Sequence, residues 1–234
     1  MSELYREEQF HITDRPDGQV KELAIFPKGA AYEKRDFIWR LSASALNREG
    51  AVLDSLPDYD RVLLVLEGDT VLIYQGQRVI RLKELEQDRF DGGFITKSFG
   101  RILGYNLMVR KGAAGYLDVL ELTEESQILE RETAEGRRHA CHAFYCYEGY
   151  GVITLGDEQQ TIYPGEQLVI PCDGKEDAEV GVMGKGILIR AQIFYDEMNL
   201  AAAGSQKENR AGLRAWGRAG RRILNKLVGT NKKT

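Results

Sequence analysis

Two stretches decide the fold: VLLVLEGDTVLIYQG at 62–76 and AFYCYEGYGVITLGD at 143–157. Laid over one another, each reads as a strand, an acidic-Gly turn and a returning strand. Glu67 falls on Glu148, Gly68 on Gly149 and Val71 on Val152, with apolar positions matching on both sides. Self-similarity at a fixed offset marks one structural unit used twice. The offset is 81 residues, the length of a small barrel, so two tandem β-barrels are the simplest architecture.

Outward from the repeat, the chain continues as strand after strand. VKELAIF (20–26), FIWRLSASAL (37–46), RILGYNLMVR (101–110), GYLDVLEL (115–122) and GILIRAQIFY (186–195) are rich in β-branched, leucine and aromatic residues. Many alternate apolar with polar, the period of a half-buried strand. Glycine turns such as YQGQ, DGG, LGDE and YPGE separate them. Short, evenly spaced strands with such turns indicate an all-β sandwich or barrel.

Composition narrows the function classes. A formal charge of -4 excludes the body of the chain as a nucleic-acid binder. No apolar run is long enough to span a bilayer, and the polar start MSELYREEQFHITDRPDG is not a secretory signal. A cytoplasmic location is expected. Cys141, Cys146 and Cys172 form no CxxC pair and read as small core residues rather than a disulfide framework or zinc site.

The tail departs from this pattern. Residues 205–234 hold nine Lys or Arg and one acid. Leu213, Trp216, Gly220, Ile223 and Leu227 fall on one helical face, with most of the arginines around the other side. This predicts a basic amphipathic helix that either contacts an anionic membrane surface or acidic partner, or packs its apolar stripe on the barrel. The expected division is 1–122 for the first barrel, 123–200 for the second, and 201–234 for linker and helix.

The turn after each VLEG-type strand resembles the end of the first cupin motif. That motif's histidines and glutamate clamp a divalent metal inside a double-stranded β-helix, or jelly roll. Counting back from Gly68 puts Arg61 at the glutamate position, and the histidine positions fall among Asp54, Ser55, Leu56 and Pro57. From Gly149, His142 takes the glutamate position, and Glu135, Gly136, Arg137 and Arg138 occupy the histidine region. In the second motif Glu176 or Asp177 stands where histidine would. One imidazole and a carboxylate are too few for a tight site, so no metal and no cofactor is expected. His139 and His142, three apart on a strand, point to opposite faces.

Arg61 is what replaces the metal-binding acid. A buried guanidinium keeps its charge and needs an anion or acceptors. Two readings stay open at this point. Asp58, Asp60 or Glu67 pairs with it structurally, or it awaits a carboxylate-bearing ligand, which arginine holds through two parallel hydrogen bonds.

The stretch DFIWRLSASALNREGAVLDSLPDYDRVLLVLEG (36–68), with QDRFDGG (87–93) and YNLMVRKG (105–112), resembles the HutD/Ves family of RmlC-like bicupins. Trp39, Arg40, Ser42, Ala45, Gly50, Pro57, Asp60, Glu67, Gly92 and Arg110 stand among the matching positions. The likeness covers roughly 20–195 and is stronger in the first barrel. It departs at PDGQVKELAIFP, at Pro57-Asp58, and at Gly104, where the family has Asp. The resemblance implies a metal-free bicupin, often a homodimer, without a firmly assigned reaction. Some members are linked to histidine utilisation and to an intermediate such as formylglutamate. It also implies a ligand-binding pocket with Arg61 as carboxylate anchor, Asn106 as amide donor and acceptor, and Trp39, Phe90 and Met108 as apolar walls. Ser42 and Arg110 are secondary. Arg40, beside Trp39, is expected to face solvent.

Two functions from different classes follow. The first is a small-carboxylate-binding module, regulatory or buffering, with no catalytic residue. The second is a cupin-type isomerase or hydrolase with His142 as general base. No residue in sequence pairs with His142 as orienting acid or nucleophile, and no GxSxG or P-loop context is present, which favours binding over catalysis.

Overall fold

A computed structural model of the protein describes residues 2–130, 136–172 and 179–196. Strands β1 (Glu3–Tyr5), β2 (His11–Arg15), β3 (Gly18–Phe26), β4 (Trp39–Leu46), β5 (Ala51–Leu53), β6 (Tyr59–Gly68), β7 (Thr70–Tyr74), β8 (Arg78–Leu82), β9 (Gln87–Asp91), β10 (Thr96–Phe99) and β11 (Ile102–Arg110) come first. They are followed by β12 (Ala114–Leu122), β13 (Gln127–Ile128), β14 (His139–Leu155), β15 (Glu158–Ile162), β16 (Gln167–Pro171) and β17 (Val180–Tyr195). Helical structure among the described residues is limited to 3-10 turns at Glu7–Gln9 and Tyr32–Lys34. No helix among them is long and apolar enough to cross a membrane.

All named pairings are antiparallel. One sheet runs β2-β3-β4-β11-β6-β9, a second runs β5-β10-β7-β8, and a third runs β1-β16-β14-β17-β12 with β13 on β17 and β15 on β14. Strand β6 shows why the sheets stack. Leu63 and Val65 pack with Leu72, Tyr74, Leu82 and Phe90 between the first two sheets. Val62, Leu64 and Leu66 on the other face pack with Cys141, Ala143, Ile189 and Ala191 of the third. A strand covered on both sides carries a continuous apolar run, which is why RVLLVLEG barely alternates.

The repeat has a steric cause. Gly68 sits at φ +84 and Gly149 at φ +77, left-handed backbone that favours glycine. A Cβ at Gly68 would fall 2.2 Å from the Arg101 carbonyl oxygen, and one at Gly149 would fall 1.8 Å from that of Lys185. In the N-terminal half the chain breaks after Gly68 into β6 and β7, whereas β14 runs straight through as one strand.

Hydrogen bonding crosses the expected division of the chain. β12, which the sequence places with the first unit, pairs along its whole length with β17, and β1 pairs with β16. Both strands therefore extend the C-terminal sheet from outside residues 123–200. The expected basic helix lies outside the described residues, as do Glu135, Glu176 and Asp177.

Candidate functional site

Strand alternation places one row of side chains on the face of the six-stranded sheet that looks into the N-terminal half. Arg40 of β4 stands opposite Met108 of β11, Met108 opposite Arg61 of β6, and Arg61 opposite Phe90 of β9. One step along, Ser42 faces Asn106 and Asn106 faces Leu63. Above these rows lies a cavity of about 50 Å³, lined by Arg61, Asn106, Ser42, Met108, Arg40 and Ser44, with Tyr32, Asp54 and Arg15 at its rim. That volume holds a few water molecules or a small organic group.

Arg61 is 5% exposed. Its Nη1 donates to the Asp54 carbonyl at 3.3 Å, and its Nη2 donates to Asn106 Oδ1 at 3.5 Å, both long for hydrogen bonds. Its Nε is buried and has no hydrogen-bond partner among the described residues. None of Asp58, Asp60 and Glu67 bonds to it, so the structural-pair reading of this arginine does not hold among the described residues. The Phe90 ring supports the guanidinium from below, 5.2 Å from centroid to Cζ. Burial pushes the arginine's pKa down, against the pull of Tyr32 and Asp54, but a guanidinium does not lose its proton in a protein. Asn106 donates in turn to Ser44 Oγ at 3.3 Å.

The other two arginines at the cavity are paired. Arg40 Nε meets Glu22 Oε2 at 2.6 Å, and Arg15 Nη1 meets Asp54 Oδ2 at 2.7 Å. With those two arginines ion-paired, Arg61 is the cavity arginine without a salt bridge among the described residues, and the Asp17 carboxylate also lines the cavity. Burial alone would raise the Asp54 carboxyl, but hydrogen bonds from Arg15 and Tyr32 outweigh it and hold the group below its usual range. Burial and the hydrogen bond to Asp54 raise the Tyr32 hydroxyl.

Of the residues singled out by sequence, Arg61, Asn106, Ser42 and Met108 line the cavity together. Phe90 does not reach it and contributes through the Arg61 stack. Trp39 lies between the six- and seven-stranded sheets, stacked on Phe26 at 5.6 Å. Arg110 is a strut: its Nε donates to the Phe37 carbonyl, and its Nη2 donates to the Arg35 carbonyl and the Tyr59 hydroxyl. The expectation that Arg40 faces solvent is corrected. It is 5% exposed and points into the cavity, because the opposite face of β4, carrying Trp39, is also buried. Tyr32 and Arg15 gave no sequence signal as site residues, and Asp54 was marked only as falling in the histidine region of the first cupin motif. They come from three segments that only the fold brings together.

In the C-terminal half the position matching Arg61 is His142, buried on the face that carries Phe144, whose ring is 6.3 Å away. His139 points to the opposite face and stacks on Tyr195 at 5.2 Å. Arg190 there is bound to Asp118 at 2.7 Å. Cys141, Cys146 and Cys172 are buried, and no disulfide joins them. Among the described residues no three His, Cys, Asp or Glu side chains come together as a metal-ligand group. At the cavity itself a cation does not fit, because Arg61 occupies the ligand position and has no lone pair to give.

The HutD family model matches residues 16–189. Among solved structures, the chain is similar to the conserved protein of unknown function PA5104 from Pseudomonas aeruginosa PAO1, with TM-score 0.69 and 15% identity, covering 84% of this chain and all of that one. It is similar to HutD from Pseudomonas fluorescens SBW25, solved in a formate condition, with TM-score 0.60 and 18% identity over 82% and 98% of the two chains. Bacterial pirin YhhW from Escherichia coli, in complex with nickel(II), gives TM-score 0.58 and 10% identity over 84% and 100%. No curated protein matches the chain. At these identities the structural likenesses establish the fold, an all-β cupin type, while the family rests on the match spanning most of the sequence: the chain belongs to the HutD family.

Proposed function

We propose that this is a metal-free protein of two tandem cupin units that binds a small carboxylate of the formylglutamate type on Arg61. Its role is regulatory or buffering, in histidine utilisation in the cytoplasm. The single observation that carries the reading is the Arg61 guanidinium, buried beside a cavity with, among the described residues, no acidic side chain bonded to it and no partner for its Nε. Such a group costs several kcal/mol of desolvation, on the order of a buried unpaired charge, unless an anion meets it. A carboxylate offers two oxygens to the arginine fork, and Asn106 and Ser42 offer neutral donors and acceptors beside it. The P. fluorescens HutD structure was solved in a formate condition, and formate is a carboxylate of the size this cavity admits.

The test is a thermal-shift series with formate, urocanate, glutamate and N-formylglutamate. A ligand at a hundred times its dissociation constant stabilises the native state by about 2.7 kcal/mol. Saturable stabilisation by at least one of these acids, lost in Arg61→Met, is expected. A full shift in that variant, or stabilisation by nickel or manganese ions in place of acids, would overturn the reading.

A further inference from the structure

One aspartate closes the rim of the Arg61 cavity. Asp54, in the loop between β5 and β6, accepts at a single oxygen, Oδ2, from both Arg15 Nη1 and the Tyr32 hydroxyl, each at 2.7 Å. Its backbone carbonyl accepts from Arg61 Nη1 at 3.3 Å. The end of β2, the 3-10 turn at Tyr32–Lys34 and the β5–β6 loop thus meet on one residue. Because Asp54 touches both guanidiniums, they are no further apart than one aspartyl residue and two hydrogen bonds. The Tyr32 ring is fixed between Arg40, 4.6 Å away, and Arg15, 5.5 Å away.

The two arginines differ in what holds them. Arg61 is buried without an acid, whereas the Arg15–Asp54 pair stands at the surface, with side chains 32% and 42% exposed. An ion pair so exposed contributes little and exchanges readily. An incoming carboxylate can replace that of Asp54 on Arg15 with the number of charge-assisted bonds unchanged.

We propose that Arg15 is a second anchor of this site, taking the distal carboxylate of a short dicarboxylate whose first carboxylate lies on Arg61. Asp54 is the internal competitor that occupies Arg15 and Tyr32 until the ligand arrives. The inference rests on the Arg61 reading above and adds the residue that takes the distal acid, and with it a preference for a dicarboxylate over its monoacid analogue.

N-formylglutamate and N-formylglutamine differ only in the distal acid. Calorimetric dissociation constants for both, on the full chain and on Arg15→Gln, Asp54→Asn and Arg61→Met, test the proposal. The native protein is expected to prefer the acid by about tenfold or more. Arg15→Gln should bring that ratio close to one with the amide's affinity unchanged, and Asp54→Asn should widen it. Arg15→Lys, which keeps the charge and loses the fork, replaces the glutamine variant if that one does not fold. An unchanged ratio in the Arg15 variant, or an equal gain for both compounds in Asp54→Asn, would overturn the second anchor and leave Arg61 standing. Failure of both compounds to bind the native chain, or undiminished binding to Arg61→Met, would remove the Arg61 reading and this proposal together.

Discussion

Arg61 and Asn106 meet diagonally across neighbouring strands, Nη2 lying 3.5 Å from Oδ1, and neither side chain is bonded to a carboxylate among the described residues. Under the proposed function the pair receives a guest rather than adding stability. A buried cation with two long hydrogen bonds and an unbonded Nε is a native-state cost, and its removal has a definite sign.

Arg61→Met should therefore make the empty protein more stable. Methionine fills the volume, removes the unpaired charge and packs on Phe90. A gain of about 1–3 kcal/mol is expected, by analogy with buried charges replaced by apolar residues. Urea unfolding of both proteins without ligand checks it, with a lower midpoint as the adverse result.

Arg110→Met should act in the opposite direction. This arginine satisfies the Phe37 and Arg35 carbonyls and the Tyr59 hydroxyl, and its guanidinium lies 4.9 Å from the Tyr59 ring. Losing charge-assisted bonds to buried acceptors costs about 2–4 kcal/mol. Thermal unfolding should show the loss, while the variant that remains folded still binds the carboxylate.

The two repeat glycines give a steric prediction. Gly68→Ala and Gly149→Ala each drive a Cβ against a backbone carbonyl, so each should cost more than about 1 kcal/mol. Gly76→Ala is the control. It has a similar φ of +74 but nothing within 4 Å of the new methyl group, and its cost should be confined to backbone strain.

Acid should loosen the rim before the cores. The Asp54 carboxyl is depressed in the folded state, so its contribution is complete above the ordinary aspartate pKa of about 3.9 and is lost as pH falls through the lower folded value. The groups facing it, Arg15 and Arg61, stay cationic throughout, and the Tyr32 hydroxyl is raised and stays protonated. Stability curves for the native chain and Asp54→Asn should lie a fixed distance apart from pH 7 to about 5 and converge below about 4. A constant separation down to pH 2 would show that the carboxylate contributes nothing in its charged form.

The parts legible in the sequence were those fixed by local chemistry. The Gly68 and Gly149 turns recur because only glycine fits each approach, so the repeat was visible without coordinates. Arg61 could be found because motif spacing puts it at the metal-acid position, whereas Asn106 was marked by the family resemblance. Arg40 was misjudged for a physical reason. Alternation says that Trp39 and Arg40 point oppositely, but not which side is the cavity, and β4 is buried on both. Arg110 shares the face of Asn106 and Met108, yet sits at the strand's end, where carbonyls from 35 and 37 take it up. Motif spacing reaches Asp54, but the meeting of Arg15 and Tyr32 on it depends on how loops return across the cavity, and no local spacing encodes that.

The most direct measurement is the nitrogen-15 resonance of the Arg61 side chain, assigned by its absence from Arg61→Met. On titration with N-formylglutamate, the account predicts that the Nε–H signal moves saturably as the unbonded donor acquires an oxygen. A signal that stays in place while the acid demonstrably binds would contradict it.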